Sequence, residues 1–103
     1  NKRNRKKEED FYIMVAEKVT VVNKSGIHAR PAGELAKLAM KCKSEVFIRV
    51  GEKKVNPKSV LNLMAAVIRC GTEIEVECNG ETEKEDLKAL VDFIASGLGE
   101  GCE

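Results

Sequence analysis

Residues 73–78 read Glu-Ile-Glu-Val-Glu-Cys, and this alternation narrows the possible folds more than any other stretch of the chain. Successive side chains of a strand point to opposite sides, so Ile74, Val76 and Cys78 share one face and Glu73, Glu75 and Glu77 the other. A strand with an acidic face keeps that face in water and buries its opposite. The chain therefore calls for an antiparallel sheet wet on one side, with amphipathic helices covering the apolar side. The three glutamates read as that solvated face, with Lys18 a candidate cross-strand partner, rather than as paired catalytic carboxylates.

The rest of the chain supplies the other layers. From Glu17 to Val22, the β-branched Val19, Thr20, Val21 and Val22 predict a strand, closed by the turn-forming Asn23, Lys24, Ser25 and Gly26. Pro31 lies at the start of a first helix, with Ala32, Leu35, Ala36 and Ala39 on one face and Arg30, Glu34, Lys37 and Lys41 on the other. Val46, Ile48 and Val50 mark a strand that turns through Gly51-Glu52 into a short partner around Lys54 and Val55. Ser59 reads as the N-cap of a short second helix with a buried stripe of Val60, Leu63, Met64 and Val67, and Gly71 ends the segment. After the 73–78 strand, Asn79-Gly80 turns the chain and Thr82 with Glu85 predicts a capping box. Leu87, Leu90, Val91 and Ile94 then mark a third helix. The order is βαββαβα, an α+β two-layer open-faced sandwich with four antiparallel strands and three helices on one side.

A chain of 103 residues has room for one core. Its first ten residues carry five basic and three acidic side chains and nothing apolar, so they cannot offset the entropy of ordering. Residues 1–13 are read as a disordered leader or extension, followed by a domain over 14–103, with Met14 a candidate start. Eighteen Lys and Arg against seventeen Asp and Glu leave no net field to hold nucleic acid or a membrane. One tyrosine and three phenylalanines offer few stacking platforms for RNA. The stretch from Val60 to Ile68 is interrupted by polar residues and falls far short of the roughly 20 apolar residues that span a bilayer. Cys42, Cys70, Cys78 and Cys102 show no CxxC spacing and read as packing residues in a reducing compartment, the cytoplasm.

The segment Ser25-Gly26-Ile27-His28-Ala29-Arg30-Pro31-Ala32 sets the only histidine directly before a helix N-terminus. Backbone N–H groups there lack intrahelical partners and favour an anion. A phosphoryl group on the imidazole would meet the N–H groups of Ala29 and Arg30, the helix dipole and the Arg30 guanidinium. A neutral imidazole is a nucleophile near neutral pH, and phosphoryl transfer requires mainly positioning and charge stabilisation. The competing reading is that His28 merely caps a helix or packs at a loop.

The residues Gly26-Ile27-His28-Ala29-Arg30-Pro31-Ala32 resemble the active-site signature of the HPr family, the phosphocarriers of the bacterial phosphoenolpyruvate-dependent sugar phosphotransferase system. The resemblance runs from about Glu17 to Leu98 and includes Val55-Asn56-Pro57-Lys58-Ser59. It implies the strand order 1-4-2-3. It also implies that His28 accepts a phosphoryl group from Enzyme I and donates it to sugar-specific IIA components, with Arg30 stabilising the group. Ser59 falls at the regulatory serine that a dedicated kinase modifies in many Gram-positive relatives. The competing function is a regulatory adaptor, controlled through Ser59 and bound by a transcriptional regulator. The stretch Asn62-Leu63-Met64-Ala65-Ala66 departs from the glycine-containing version of the best-known regulated members. Gly33, Lys37 and Met40 on the first helix and Val60 and Leu61 on the second form a candidate docking patch, apolar and rimmed by charge. The expectation is a monomeric carrier with no metal, no small-molecule cofactor and no membrane insertion.

Overall fold

The computed structural model describes residues 15–99; the leader assigned to 1–13 and Cys102 lie outside them. The elements follow the expected order: β1 Val15–Thr20, α1 Ala29–Lys41, β2 Glu45–Val50, β3 Lys53–Val55, α2 Val60–Ala65, β4 Glu73–Asn79 and α3 Glu83–Ala95. The sheet runs β1-β4-β2-β3, with every pairing antiparallel. Register aligns the apolar faces: Val19 stands opposite Ile74, Ile48 opposite both Val76 and Val55, and Val46 opposite Cys78. All of these except Val19, which packs against its edge, join Leu35 and Ala36 of α1, Leu63 of α2, and Leu90 and Ile94 of α3 in one buried cluster. The polar face of β4 stays outward, where Glu75 lies opposite Lys18 on one side and Arg49 on the other. Glu77 accepts a hydrogen bond from Arg49 Nε at 2.5 Å. The acidic stripe is thus a charge-matched sheet surface.

Four local expectations are corrected. β1 starts and ends two residues earlier than the Glu17–Val22 run, because β4 begins at Glu73 opposite Thr20. Val21 nevertheless keeps the chain tied, donating to Thr72 O at 2.9 Å and accepting from Gly71 N at 2.7 Å. In α2 only Leu63 of the expected stripe is buried, while Val60, Met64 and Val67 are exposed. The 3.6-residue period stops there because the helix closes at Ala66 and Val67 adopts φ +52, after which Ile68 turns inward in place of the predicted positions. Cys70 is exposed, whereas Cys42 and Cys78 are packing residues as expected.

The capping box is also absent. Thr82 has φ −106 and ψ 26, outside the extended geometry that aims an N-cap hydroxyl at the helix. Its hydroxyl donates instead to Asp86 Oδ2 at 2.7 Å, and the buried Glu83, not Glu85, accepts the Gly80 N–H at 3.1 Å. Asp86 Oδ2 also accepts the Ser44 hydroxyl at 2.6 Å and the Ser44 N–H at 3.1 Å, which fastens the start of β2 to α3. The same Asp86 carboxylate lies beside the Cys42 thiol. Burial first, and that carboxylate second, push the thiol up to about 11; burial and then Cys42 push Cys78 up to about 12. Both therefore stay protonated, unreactive packing groups at neutral pH.

Candidate functional site

The loop ahead of α1 is fixed by backbone contacts over long sequence distance. Gly26 has φ +70, and a Cβ on it would lie 2.5 Å from Ile68 O and 2.9 Å from Arg69 Cα. Only glycine permits that approach. The turn is braced by Gly26 N–H donating to Asn23 O at 3.0 Å and by the buried Asn23 Nδ2 donating to Gly26 O at 2.6 Å. Ile27 then pairs with Ile68 as an isolated antiparallel bridge, its N–H donating to Ile68 O at 2.9 Å. The chain that follows α2 is thereby laid against the residue preceding His28.

His28 is the N-cap of α1, with extended backbone at φ −114 and ψ −158, and its carbonyl accepts the Ala32 N–H at 2.8 Å. Its side chain makes no capping bond and the residue is exposed. Ala29 and Arg30 occupy the first two helical positions and are exposed; Pro31, the third, has no N–H. The donors that the helix start leaves open are therefore those of Ala29 and Arg30, and they lie at the positive end of the helix dipole. The first turn holds no carboxylate that would repel an anion.

The other expected residues are distributed along the two helices. Ser59 caps α2, its side chain accepting the Asn62 N–H at 3.2 Å. It sits at the opposite end of α2 from the Ile27–Ile68 bridge, about 9 Å of helical rise away. Gly33, Lys37 and Met40 form one stripe of α1 at i, i+4 and i+7. Met40, 59% exposed, lies about 16 Å of rise from Ala29, so that stripe leads away from His28. Lys37 makes an exposed ion pair with Glu34, 3.7 Å apart. Val60 is at the exposed margin, and Leu61 is 78% exposed. Sequence reasoning missed the contribution of Val67, Ile68 and Arg69. No local motif marks them, because they reach the histidine loop only through the long-range bridge.

An open-faced sandwich that presents a histidine at a helix start stripped of negative charge has the build of a small phosphohistidine carrier. Residues 15–96 match the sequence family described as PTS HPr component phosphorylation site. A phosphocarrier protein HPr of Neisseria meningitidis is 38% identical over 88 residues, covering 85% of this chain and 99% of that protein. The HPr-like protein Crh of Bacillus subtilis is 40% identical over 81 residues, covering 79% of this chain and 95% of its own. The crystal structure of an HPr from Thermoanaerobacter tengcongensis superposes with a TM-score of 0.79 at 36% identity, covering 84% of this chain and 97% of that one. The chain belongs to the HPr family of phosphocarriers of the phosphotransferase system.

Proposed function

We propose that this domain accepts a phosphoryl group on His28 from phosphorylated Enzyme I and donates it to sugar-specific IIA components, working as a cytoplasmic carrier without a metal or cofactor. A neutral ring nitrogen of His28 attacks phosphorus; the new N–P bond forms as the bond to the donor breaks. The phosphoryl oxygens are then met by the Ala29 and Arg30 N–H groups and the Arg30 guanidinium. Donation to the next protein is the same displacement in reverse. One observation carries this reading: the only histidine in the chain is exposed at the α1 N-cap, directly ahead of the exposed Ala29 and Arg30, with no acidic residue in the first turn. Gly33, Lys37, Met40, Val60 and Leu61 supply docking contacts, and the exposure of Met40 and Leu61 supports that role.

The test is incubation with phosphoenolpyruvate and Enzyme I, followed by mass spectrometry that preserves phosphohistidine. One acid-labile phosphoryl group at His28 is expected, absent in His28→Ala and formed more slowly in Arg30→Ala. A label that persists in His28→Ala overturns the assignment.

A second role, regulation through Ser59 as an adaptor for a serine kinase and a transcriptional regulator, draws support from the similarity to Crh and from the position of Ser59 beside the exposed Val60 and Leu61. It acts on the same surface, so the two roles are compatible in one chain.

A further inference from the structure

The turn ahead of His28 holds a polar side chain that closing the turn does not require. Lys24 and Ser25 are exposed at its tip, and backbone alone closes it, Gly26 N–H donating to Asn23 O at 3.0 Å. Asn23 is nevertheless fully buried, and its side-chain Nδ2 donates to Gly26 O at 2.6 Å. A carbonyl oxygen only accepts, so the end of the amide that faces it is the nitrogen. Burying a carboxamide costs free energy that its hydrogen bonds must offset. This bond reaches past the turn, to the carbonyl of the peptide that leaves it.

That peptide, between Gly26 and Ile27, is thereby gripped at both ends. Asn23 holds its C=O, and Ile68 O accepts its N–H at 2.9 Å, so one grip comes from within the loop and the other from the segment after α2. A peptide unit is planar, and bonds at its two ends fix a tilt that a single bond leaves free to swing. Ile27 follows with its side chain buried, and His28 is held on the far side by its own carbonyl, which accepts the Ala32 N–H at 2.8 Å. The exposed histidine therefore hangs from a backbone set upstream by Asn23 and Ile68 and downstream by the first turn of α1.

We infer that Asn23 is a positioning residue for phosphoryl transfer: its carboxamide holds the peptide between Gly26 and Ile27 so that His28 keeps its place ahead of the start of α1. This rests on the reading of His28 as the phosphoryl acceptor. Displacement at phosphorus tolerates little misplacement, and an error of about 1 Å in a reacting group costs up to about a hundredfold in rate. Without the Nδ2 bond, the Ile27 N–H bond is the one remaining grip on the plane, and the histidine shifts as the plane tilts. Fully buried, Asn23 offers no surface to a partner protein, so its loss slows the transfer step and spares docking.

Two variants test it, each assayed with phosphoenolpyruvate and Enzyme I below its own Tm, with circular dichroism as the check on folding. In Asn23→Ala, kcat should fall about tenfold with KM for the carrier little changed, and amide exchange at Ile27 should quicken. Asn23→Asp keeps the shape and makes the bond conditional, because its carboxyl donates to Gly26 O only when protonated. Its kcat, divided by the wild-type value at each pH, should be low at neutral pH and recover towards one in mild acid. That series reads the bond even where Asn23→Ala does not fold. Wild-type kcat in folded Asn23→Ala, or an Asn23→Asp ratio that stays flat with pH, overturns the inference alone. A loss confined to KM overturns it too, because Asn23 would then act in docking, as does unfolding of both variants at neutral pH, because it would then serve the fold as a whole. Wild-type protein that takes no label on His28 overturns the carrier reading itself, and this inference with it.

Discussion

Replacing Gly26 by alanine measures how firmly the histidine loop is held against the end of α2. The added Cβ would lie 2.5 Å from Ile68 O and 2.9 Å from Arg69 Cα, both backbone atoms that no side-chain rotation moves aside. Gly51, in the β2–β3 turn, is the matched reference: its φ of +64 is close to the +70 of Gly26, and an added Cβ meets nothing within 4 Å. The two sites share a left-handed penalty of about 1–2 kcal/mol. Only Gly26 adds a clash, for which overpacking costs of about 1–3 kcal/mol are usual. Gly26→Ala should therefore melt below Gly51→Ala by roughly 5–20 °C, taking about 4–8 °C per kcal/mol for a domain of this size.

Thermal unfolding followed by circular dichroism reads that gap, and a phosphoryl-transfer assay reads its consequence. A displaced Gly26 strains the 2.9 Å Ile27–Ile68 hydrogen bond, which holds the residue directly before His28. Transfer should fall in Gly26→Ala and hold in Gly51→Ala. Equal melting of the two variants would refute the claim that close backbone approach, rather than φ alone, demands glycine at 26.

Two further outcomes are expected. Burial works to raise the Asp86 pKa, but hydrogen bonds from the Ser44 and Thr82 hydroxyls, the Ser44 N–H and the Cys42 thiol outweigh it and hold the carboxyl below its ordinary value. A folded value below the unfolded one means that this stability is present above about pH 4 and lost as pH falls through the folded pKa. Asp86→Asn should thus cost about 1–3 kcal/mol at neutral pH, with the gap from wild type closing in acid; denaturant titrations at both conditions check this, and a constant gap contradicts it. At Ser59, alanine removes the cap on the Asn62 N–H and should cost about 0.5–2 kcal/mol. Ser59→Asp should restore the cap and slow phosphorylation by Enzyme I through charge beside Leu61; unaltered Enzyme I kinetics in Ser59→Asp would reject the regulatory role.

Where a pattern depends on one element's own periodicity, the sequence was a sound guide. Ala32, Leu35, Ala36 and Ala39 face the core of α1, and Ile74, Val76 and Cys78 face it from β4, because removing one apolar face from water outweighs every other local preference in both elements. The two-residue Gly51-Glu52 turn forms as read, pairing Val50 with Lys53. The misreadings fall where a distant partner outweighs the local signal. Thr82 turned from the helix cap because Asp86 was within reach of its hydroxyl, and Ser44 completed that network from 42 residues away. The α2 stripe failed because pairing of Ile68 with Ile27 ends the helix early and sends Val67 outward. The part of the candidate site on α1 was legible because His28, Ala29, Arg30 and Pro31 are contiguous and owe their arrangement to one helix start, whereas the contacts of Ile68 and Arg69 with the histidine loop come from a distant segment.

This division also determines how the molecule tolerates change. A carrier is approached at one surface by the protein that loads it and by the protein that unloads it, so that surface cannot be buried in the monomer. The fold meets the requirement by building its core from other side chains, Leu35, Ile48, Leu63, Ile74, Leu90, Ile94 and Leu98, and leaving His28 exposed. His28, Arg30 and Leu61 add little to that core, and substitutions at them should move transfer kinetics more than stability. Gly26 is the exception, because its role is borne by the backbone: the atoms that lead into His28 are the same atoms that close the loop onto Ile68. A change there cannot separate the site from the scaffold, whereas a change at the exposed Arg30 can.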